Sequence, residues 1–433
     1  MRVLSLDEYL SPACSNENPI FQREDWNGGK LSVGEKSGKD RSKINLKVRR
    51  YRDKVIEKMK TAFIYTNAYL DYDYGPTHPL QITRLKLTYD LIKGYGILDL
   101  PSVQFMPTIK AEEKDLAVFH SEEYLNILRQ ANEGHLMGDA YLYGLGPGDN
   151  PIFQGLLDWS LLATGATLQA IDFVVSGKGE VAFNIAGGLH HAMKSRASGF
   201  CYINDPVIGI MKLLSRGKRV AYIDIDAHHG DGVQKTFYES NRVLTISLHE
   251  TGCTLFPGTG FEYEIGEGEG EGYSVNLPFP PYTDDDVYIW AFEEVVPELI
   301  HAFQPDIVVT QLGVDTFYND PLTNLHLSIL GYERVLKRMK DLAPKWVALG
   351  GGGYNTFNVA RAWTLAWAIM NGIELREELP ESFLEEAVKM GIEERELRGR
   401  LRTPLQSQNK ENRAEMERVV HYIKETVLPK VKS

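Results

Sequence analysis

The residues best suited to chemistry are crowded into Asp224-Ile-Asp226-Ala-His228-His229-Gly230-Asp231, directly after the apolar run that opens at Val220. Alternation along an extended strand places Asp224, Asp226 and His228 on one side. Two carboxylates and an imidazole rising together form a metal-ligand pattern. Three acids this close behind a buried strand repel one another unless a cation lies among them. The competing reading, an acidic turn with a solvated histidine, leaves that repulsion unanswered. Asp315, the lone acid after another apolar run (LGVDTFYNDP), supplies a third ligand; on its own it would read as a helix cap. Two Asp and one His leave a position open for water, as catalytic metal sites require. Zinc suits such a set, and its oxygen-rich character also admits iron(II), cobalt or manganese.

A second cluster, His190-His191, follows Gly187-Gly188. A carboxylate on the far nitrogen of an imidazole fixes its tautomer and raises its basicity, and Asp224 and Asp231 are free to do this. One histidine would then take a proton from water while the other holds charge beside it. Tyr354 follows four glycines and is placed to hydrogen-bond a carbonyl oxygen as it becomes an oxyanion. These parts specify metal-assisted hydrolysis of an amide or a guanidine.

Elements that carry these residues can be read from the apolar pattern. Strands are expected at Ala62–Tyr65, Val181–Asn184, Val220–Ile225, Val243–Leu248, Ile307–Gln311 and Trp346–Leu349. Helices are expected at Pro79–Ile92, Gly155–Val175, Pro206–Leu214, Asp285–Phe303, Gly331–Leu342 and Asn358–Met370. Strands apolar on both faces and separated by helices predict an α/β fold, a central parallel sheet covered by helices on both faces. Most of these strands run straight into a polar or glycine cluster. In a parallel sheet the carboxyl ends share one edge, so the clusters should meet in one crevice.

Composition narrows the function classes. The chain has 433 residues, 43% apolar and 24% charged, which is an ordinary globular balance. No stretch of about 18 apolar residues exists, so no membrane span is expected. The N-terminal MRVLSLDEYLSPACSNENP carries acids and a proline where a secretory signal needs an unbroken apolar stretch. Three cysteines (Cys14, Cys201, Cys253) include no C-x-x-C pair, which excludes a disulfide framework or a cysteine zinc knuckle and fits a reducing cytoplasm. GEGEGEG at 266–272 is too acidic to cradle phosphate, and no P-loop occurs. Net charge is −12, although Lys39–Lys60 holds ten basic residues against Asp40, Asp53 and Glu57. The rest of the chain is therefore more acidic than the net value, a poor match to nucleic acid and a better one to a cationic, lysine-rich partner. The basic stretch reads as a solvated amphipathic helix rather than an RNA-binding arm. Three segments are expected: an N-terminal extension (1–60), partly flexible with a basic second half, a catalytic domain (61–372), and a charged helical C-terminal appendage (373–433).

Five blocks resemble the histone deacetylase superfamily of metal-dependent amidohydrolases, which has the arginase-like α/β fold. They are GGLHHAMKSRASGFCYIND (187–205), YIDIDAHHGDGVQ (222–234), LHETGCTLFPGTG (248–260), QLGVDTFYNDPLTNL (311–325) and LGGGGYN (349–355). HETG-x-x-LFPGTG and the Y-x-DPLT stretch are most similar to bacterial acetoin-utilization deacetylases. The resemblance runs from about Ala62 to about Met370. It implies that Asp226, His228 and Asp315 bind catalytic zinc, that His191 with Asp231 is the general base and then acid, and that His190 with Asp224 is its electrostatic partner. Tyr354 would polarise an acetyl carbonyl. Phe200 and Phe256 would wall a narrow acetyl-lysine tunnel, with Gly199 beside them and Leu322 at a further wall position. Asp149 would hold substrate backbone amides, and Arg84 would line an acetate exit. A structural potassium ion is implied on Asp224, the backbone of Asp226 and His228, and Ser247. The implied activity is zinc-dependent hydrolysis of Nε-acetyl-lysine in a protein, and the implied substrate is an acetylated metabolic enzyme such as an acyl-CoA synthetase.

Three rival readings use the same residues. An acetylpolyamine or other small acetylated-amine hydrolase would differ in the loop from Tyr141 to Asn150. An arginase-type ureohydrolase would need a second metal and more acids where this chain offers a histidine pair. A non-catalytic acetyl-lysine binding scaffold would have no need of a complete ligand set.

Overall fold

The computed structural model describes residues 60–135, 138–389, 391–402 and 409–431. All but the last residue of the expected extension, and nearly all of its basic stretch, lie outside the described residues.

Eight strands form one sheet: β1 Thr61–Tyr65, β2 Val103–Pro107, β3 Val181–Asn184, β4 Val220–Asp224, β5 Val243–Glu250, β6 Ser274–Phe279, β7 Ile307–Gln311 and β8 Trp346–Leu349. Their order is β2-β1-β3-β8-β7-β4-β5-β6, and each neighbouring pair is parallel. Six match the expected runs. The two additions, β2 and β6, are the edges of the sheet, and each holds a proline (Pro107, Pro278). Proline donates no ladder hydrogen bond, so an edge is where a strand tolerates it. Every residue of the six inner strands is buried, which accounts for their unbroken apolar runs.

Eleven helices are described: α1 Thr83–Gly94, α2 Glu113–Leu116, α3 Glu122–Ala131, α4 Leu156–Val175, α5 Asp205–Ser215, α6 Asp231–Phe237, α7 Asp285–Phe303, α8 Ile329–Leu342, α9 Thr356–Met370, α10 Glu381–Lys389 and α11 Asn409–Tyr422. The series α1–α9–α8–α7 packs in succession, and α4–α5–α6 forms a second series, giving helical layers on the two faces of the sheet. Both α10 and α11 join the first layer, on α1 and α7 respectively, and α11 also reaches the edge strand β6. Among the described residues, no helix is long and apolar enough to cross a membrane.

The sheet order brings the clusters together. β3, β8, β7 and β4 are consecutive neighbours, so the turns after them open side by side at the carboxyl edge. The chain passes from β3 to β4 across the places of β8 and β7, and such a reversal leaves a crevice between diverging connections. Helix caps fix what leaves that edge. Asn355, directly after Tyr354, caps α9 by accepting from the Asn358 N–H, and Asn204 caps α5 with Pro206 in its first turn.

Candidate active site

Strand β4 ends at Asp224, one residue before the expected end, so strand alternation does not extend to the acids beyond it. Asp224 and Asp226 take separate tasks as a result. Asp224 is fully buried. Its Oδ2 lies 2.7 Å from His190 Nδ1 and accepts from the Tyr222 hydroxyl at 2.8 Å, while Oδ1 accepts from the Asp226 N–H. Asp226 instead turns toward His228 and Asp315.

One ligand atom from each of Asp226, His228 and Asp315 lies within 4.8 Å of the others, and all three residues are buried. His228 Nδ1 stands 3.1 Å from Asp226 Oδ1 and 3.0 Å from Asp315 Oδ2. Burial works to lower the His228 pKa, but hydrogen bonds to the two carboxylates outweigh it and lift it to about 10. Burial pushes Asp315 up to about 8, and the charge of Asp226 adds to the rise. Two buried acids thus compete for a single neutralising charge, and the set fits a divalent cation. Glycines keep this centre compact: a Cβ on Gly352 would come 2.2 Å from Asp315 Oδ2, and one on Gly313 would come 2.4 Å from Asp226 Oδ2.

His190 and His191 leave the β3 turn in series. Their Nε2 atoms are 3.0 Å apart, and His191 Nδ1 lies 2.8 Å from Asp231 Oδ1. Burial opposes protonation of both rings. For His190 the Asp224 and Asp226 charges win, raising it to about 9. For His191 burial and the neighbouring His190 charge prevail over Asp231, and its pKa falls. Two adjacent imidazoles are thereby driven in opposite directions by environment.

The aromatic residues stand on either side of the metal-ligand group. Phe200 packs edge-on to Tyr354 at 5.6 Å, and Phe256 packs edge-on to His191 at 5.0 Å and 6.4 Å from His228. Gly199 and Phe200 both have left-handed backbone (φ 50° and 67°). For phenylalanine that conformation is strained, a feature that clusters where a side chain must be aimed. Tyr354 is half-buried, its phenol kept well above the usual tyrosine range by burial and by Asp315 and Asp226.

The remaining expected residues occupy the rim and the floor. Asp149 is exposed, between a cavity of about 660 Å³ beside Gly199 and Phe256 and a groove of about 420 Å³ beside Phe200 and Leu322. Its carbonyl faces His78 Nε2 at 3.1 Å. Arg84 is buried, stacks over Trp363 and donates to the Gly353 carbonyl at 2.9 Å, next to Tyr354. Ser247 is paired with Asp224 in the β4–β5 register, and its hydroxyl lies 2.8 Å from His249 Nδ1. His229, the second histidine of the DAHHGD run, turns away to Thr259 and Gln234.

Three further residues shape the centre and were not singled out by the sequence. Gln311, fully buried at the end of β7, donates from Nε2 to Asp226 Oδ2 at 2.5 Å and accepts from the Gly313 N–H. Asp320 accepts from the backbone N–H groups of Tyr354 and Leu322. Asp205 accepts from those of Gly188 and Leu189, fixing the turn that bears the histidine pair. A buried polar side chain closing an apolar strand is the signal that points to Gln311. Asp205 carries no local signal, because its partners lie 16 and 17 residues away, and the local bond of Asp320 to the Leu322 N–H gives no hint of its bond to Tyr354, 34 residues on.

Comparison with known proteins agrees with this geometry. The histone deacetylase domain profile matches residues 78–370. The chain is 41% identical over 332 residues to the acetoin utilization protein AcuC of Bacillus subtilis (strain 168), covering 75% of this chain and 85% of that one. It is 39% identical over 328 residues to histone deacetylase 9 of Arabidopsis thaliana, covering 75% and 76%. The crystal structure of an HDAC homolog from Aquifex aeolicus superposes with a TM-score of 0.77 at 36% identity, covering 83% of this chain and all of that one. An eight-stranded parallel sheet, a buried Asp-His-Asp group at its carboxyl edge and a profile spanning most of the chain lead to one assignment: the chain belongs to the histone deacetylase family of metal-dependent deacetylases.

Proposed function

We propose that the protein is a zinc-dependent lysine deacetylase that hydrolyses Nε-acetyl-lysine of a protein substrate to lysine and acetate. Asp226, His228 and Asp315 would hold the zinc, and iron(II) is a further ion that this donor set admits. When bound, the ion supplies a Lewis acid for the acetyl carbonyl and for the attacking water. His191 acts as the base. Its lowered pKa leaves the ring neutral at physiological pH, and Asp231 on Nδ1 directs Nε2 toward the reaction. His190, held cationic by Asp224, keeps positive charge beside the carbonyl as oxygen gains electron density. Tyr354 donates its phenolic proton in a hydrogen bond to that oxygen. Water oxygen bonds to the acetyl carbon, the carbon–nitrogen bond breaks, and the proton taken by His191 passes to the departing lysine amine. Arg84 steadies the Gly353 carbonyl and lines the path by which acetate leaves. A potassium ion beside Asp224 and Ser247 would reinforce the strand ends beneath the site.

The observation that carries the protein-substrate reading is the cavity of about 660 Å³ at the tunnel wall, between the Tyr141–Asn150 loop and the Ala197–Gly199 segment. It lies beside Gly199 and Phe256 and is large enough for residues flanking an inserted lysine, and Arg196 lines it. A cation at that place disfavours a polycationic acetylpolyamine. Similarity to a protein named for acetoin utilization supports placing the reaction in acetoin or acetate metabolism, with an acetylated acyl-CoA synthetase as the candidate substrate. The test is a comparison of kcat/KM for an acetyl-lysine peptide and for acetylputrescine and acetylspermidine. A peptide advantage of tenfold or more is expected; an advantage for the amines would reassign the substrate class.

A further inference from the structure

A second cavity, of about 590 Å³, lies outside the catalytic machinery. Its lining contains no acid. It combines the cations Lys194, Arg196 and Lys235 with the apolar side chains of Val118, Leu142 and Met193. All three cations are exposed, and none makes an ion pair among the described residues. Val118 and Leu142 are 55% and 64% exposed, well beyond what a lone surface aliphatic needs. In a chain of net charge −12, a patch with three unpaired cations and no carboxylate is a local inversion of sign.

The cavity adjoins the one beside Gly199 and Phe256. Arg196 lines both this cavity and the larger one beside Phe256. Tyr141 and Leu142, adjacent on one 3-10 turn, face the two cavities in the same way. Arg196 precedes Gly199 by three positions, so extended chain spans the gap in at most about 11 Å. An extended substrate therefore passes Arg196 within about four residues of the lysine in the tunnel.

We propose that this surface is a docking site for an acidic, apolar-containing segment of the acetylated substrate, lying within a few residues of the acetyl-lysine. The proposal rests on the protein-substrate reading above and names what the substrate carries. Arg196 meets the first acid outside the tunnel, and Lys194 and Lys235 meet those further along. Val118, Leu142 and Met193 take apolar side chains between them. The acidic body of the chain governs long-range attraction, whereas these contacts select among proteins that have already arrived.

The test uses the full chain and four peptides. One is an uncharged acetyl-lysine core, two extend it on either side with Glu and Leu, and one extends it with Lys and Leu. The wild-type protein should favour one Glu-Leu peptide over the core and over the Lys-Leu peptide by about tenfold in kcat/KM. The gain should lie in KM, since each exposed pair is worth up to about fivefold, and it should shrink at high salt. The pair Lys194→Glu/Lys235→Glu should reduce that preference and leave the core peptide's rate unchanged, which also reports that the variant is folded; in Arg196→Glu, which alters the tunnel-side cavity as well, the ratio of acidic-extended to core kcat/KM should fall. Equal rates for acidic and basic extensions, or a preference that survives both variants, would overturn the docking site and leave the deacetylase reading standing. Variants that split a dimer without touching the preference would reassign the surface to a second copy. If the core is not hydrolysed and acetylspermidine is, the protein-substrate reading falls and the docking site falls with it.

Discussion

His190 and His191 face each other through their Nε2 atoms at 3.0 Å, and each places its Nδ1 on a different aspartate. Burial and neighbouring charges drive the two rings in opposite directions, so the pair behaves as one base and one cation. The pH dependence follows from the opposite shifts. His191 works as the free base, so kcat/KM falls as pH drops through a value below the ordinary 6.5. His190 works as the cation, so activity is lost as pH rises through about 9. In His190→Ala the like charge that depresses His191 is gone, and the acid limb should move to higher pH. A pH–rate profile of the variant with its acid limb unmoved would contradict the coupling.

Tyr354 has a support that the motif does not announce. Tyr354→Phe should lower kcat by about 10²–10³-fold with KM and bound metal nearly unchanged, as expected for a donor that acts on the developing oxyanion. Asp320 accepts from the Tyr354 and Leu322 N–H groups. Asp320→Asn turns one acceptor into a donor facing an N–H, so a smaller loss of about tenfold is expected, again in kcat. Steady-state kinetics with metal analysis of both variants separates the two roles.

Gln311 holds Asp226 Oδ2 from the side away from His228. Gln311→Ala removes that donor without touching a ligand, and metal affinity should fall by about 10–100-fold. Competition against a chelator of known affinity reads this directly. An unchanged affinity would mean that the Gly352 N–H, which also donates to Oδ2 at 2.7 Å, suffices to orient the carboxylate.

Gly199 packs closely against the reacting groups. An added Cβ would sit 2.4 Å from His191 Cδ2 and 3.0 Å from Phe256 Cε1, on backbone already at φ 50°. Gly199→Ala should therefore reduce kcat/KM by more than tenfold through displaced reacting groups. Circular dichroism should show the same secondary structure, because Gly199 lies in no strand or helix.

The sequence made the centre of the sheet and the reacting groups legible for one physical reason. Strands buried on both faces are unbroken apolar runs, and the groups they deliver are the polar residues that end them. Asp226, His228, His190 and Asp315 all announce themselves this way. The edges were not legible. Val103–Pro107 is half-exposed and Ser274–Phe279 contains Pro278, so neither shows the inner-strand pattern. Gln311 stood in plain view at the end of β7, but its task depends on Asp226, which lies 85 residues away, just past the end of β4. The separate fates of Asp224 and Asp226 were likewise hidden, because the strand stops at Asp224 and alternation loses its meaning there. The rim cavities depend on how the Tyr141–Asn150 loop folds over Arg196, which no local pattern encodes.

The most direct measurement is acetate release from an acetyl-lysine peptide by the purified chain, before and after chelation and again after zinc is restored. The account predicts release of acetate and lysine in equal amounts, loss of release with the chelated protein still folded, and recovery on adding zinc. Release that persists at the same rate in protein shown to be metal-free would contradict it, since the Asp226–His228–Asp315 group would then have no part in the reaction.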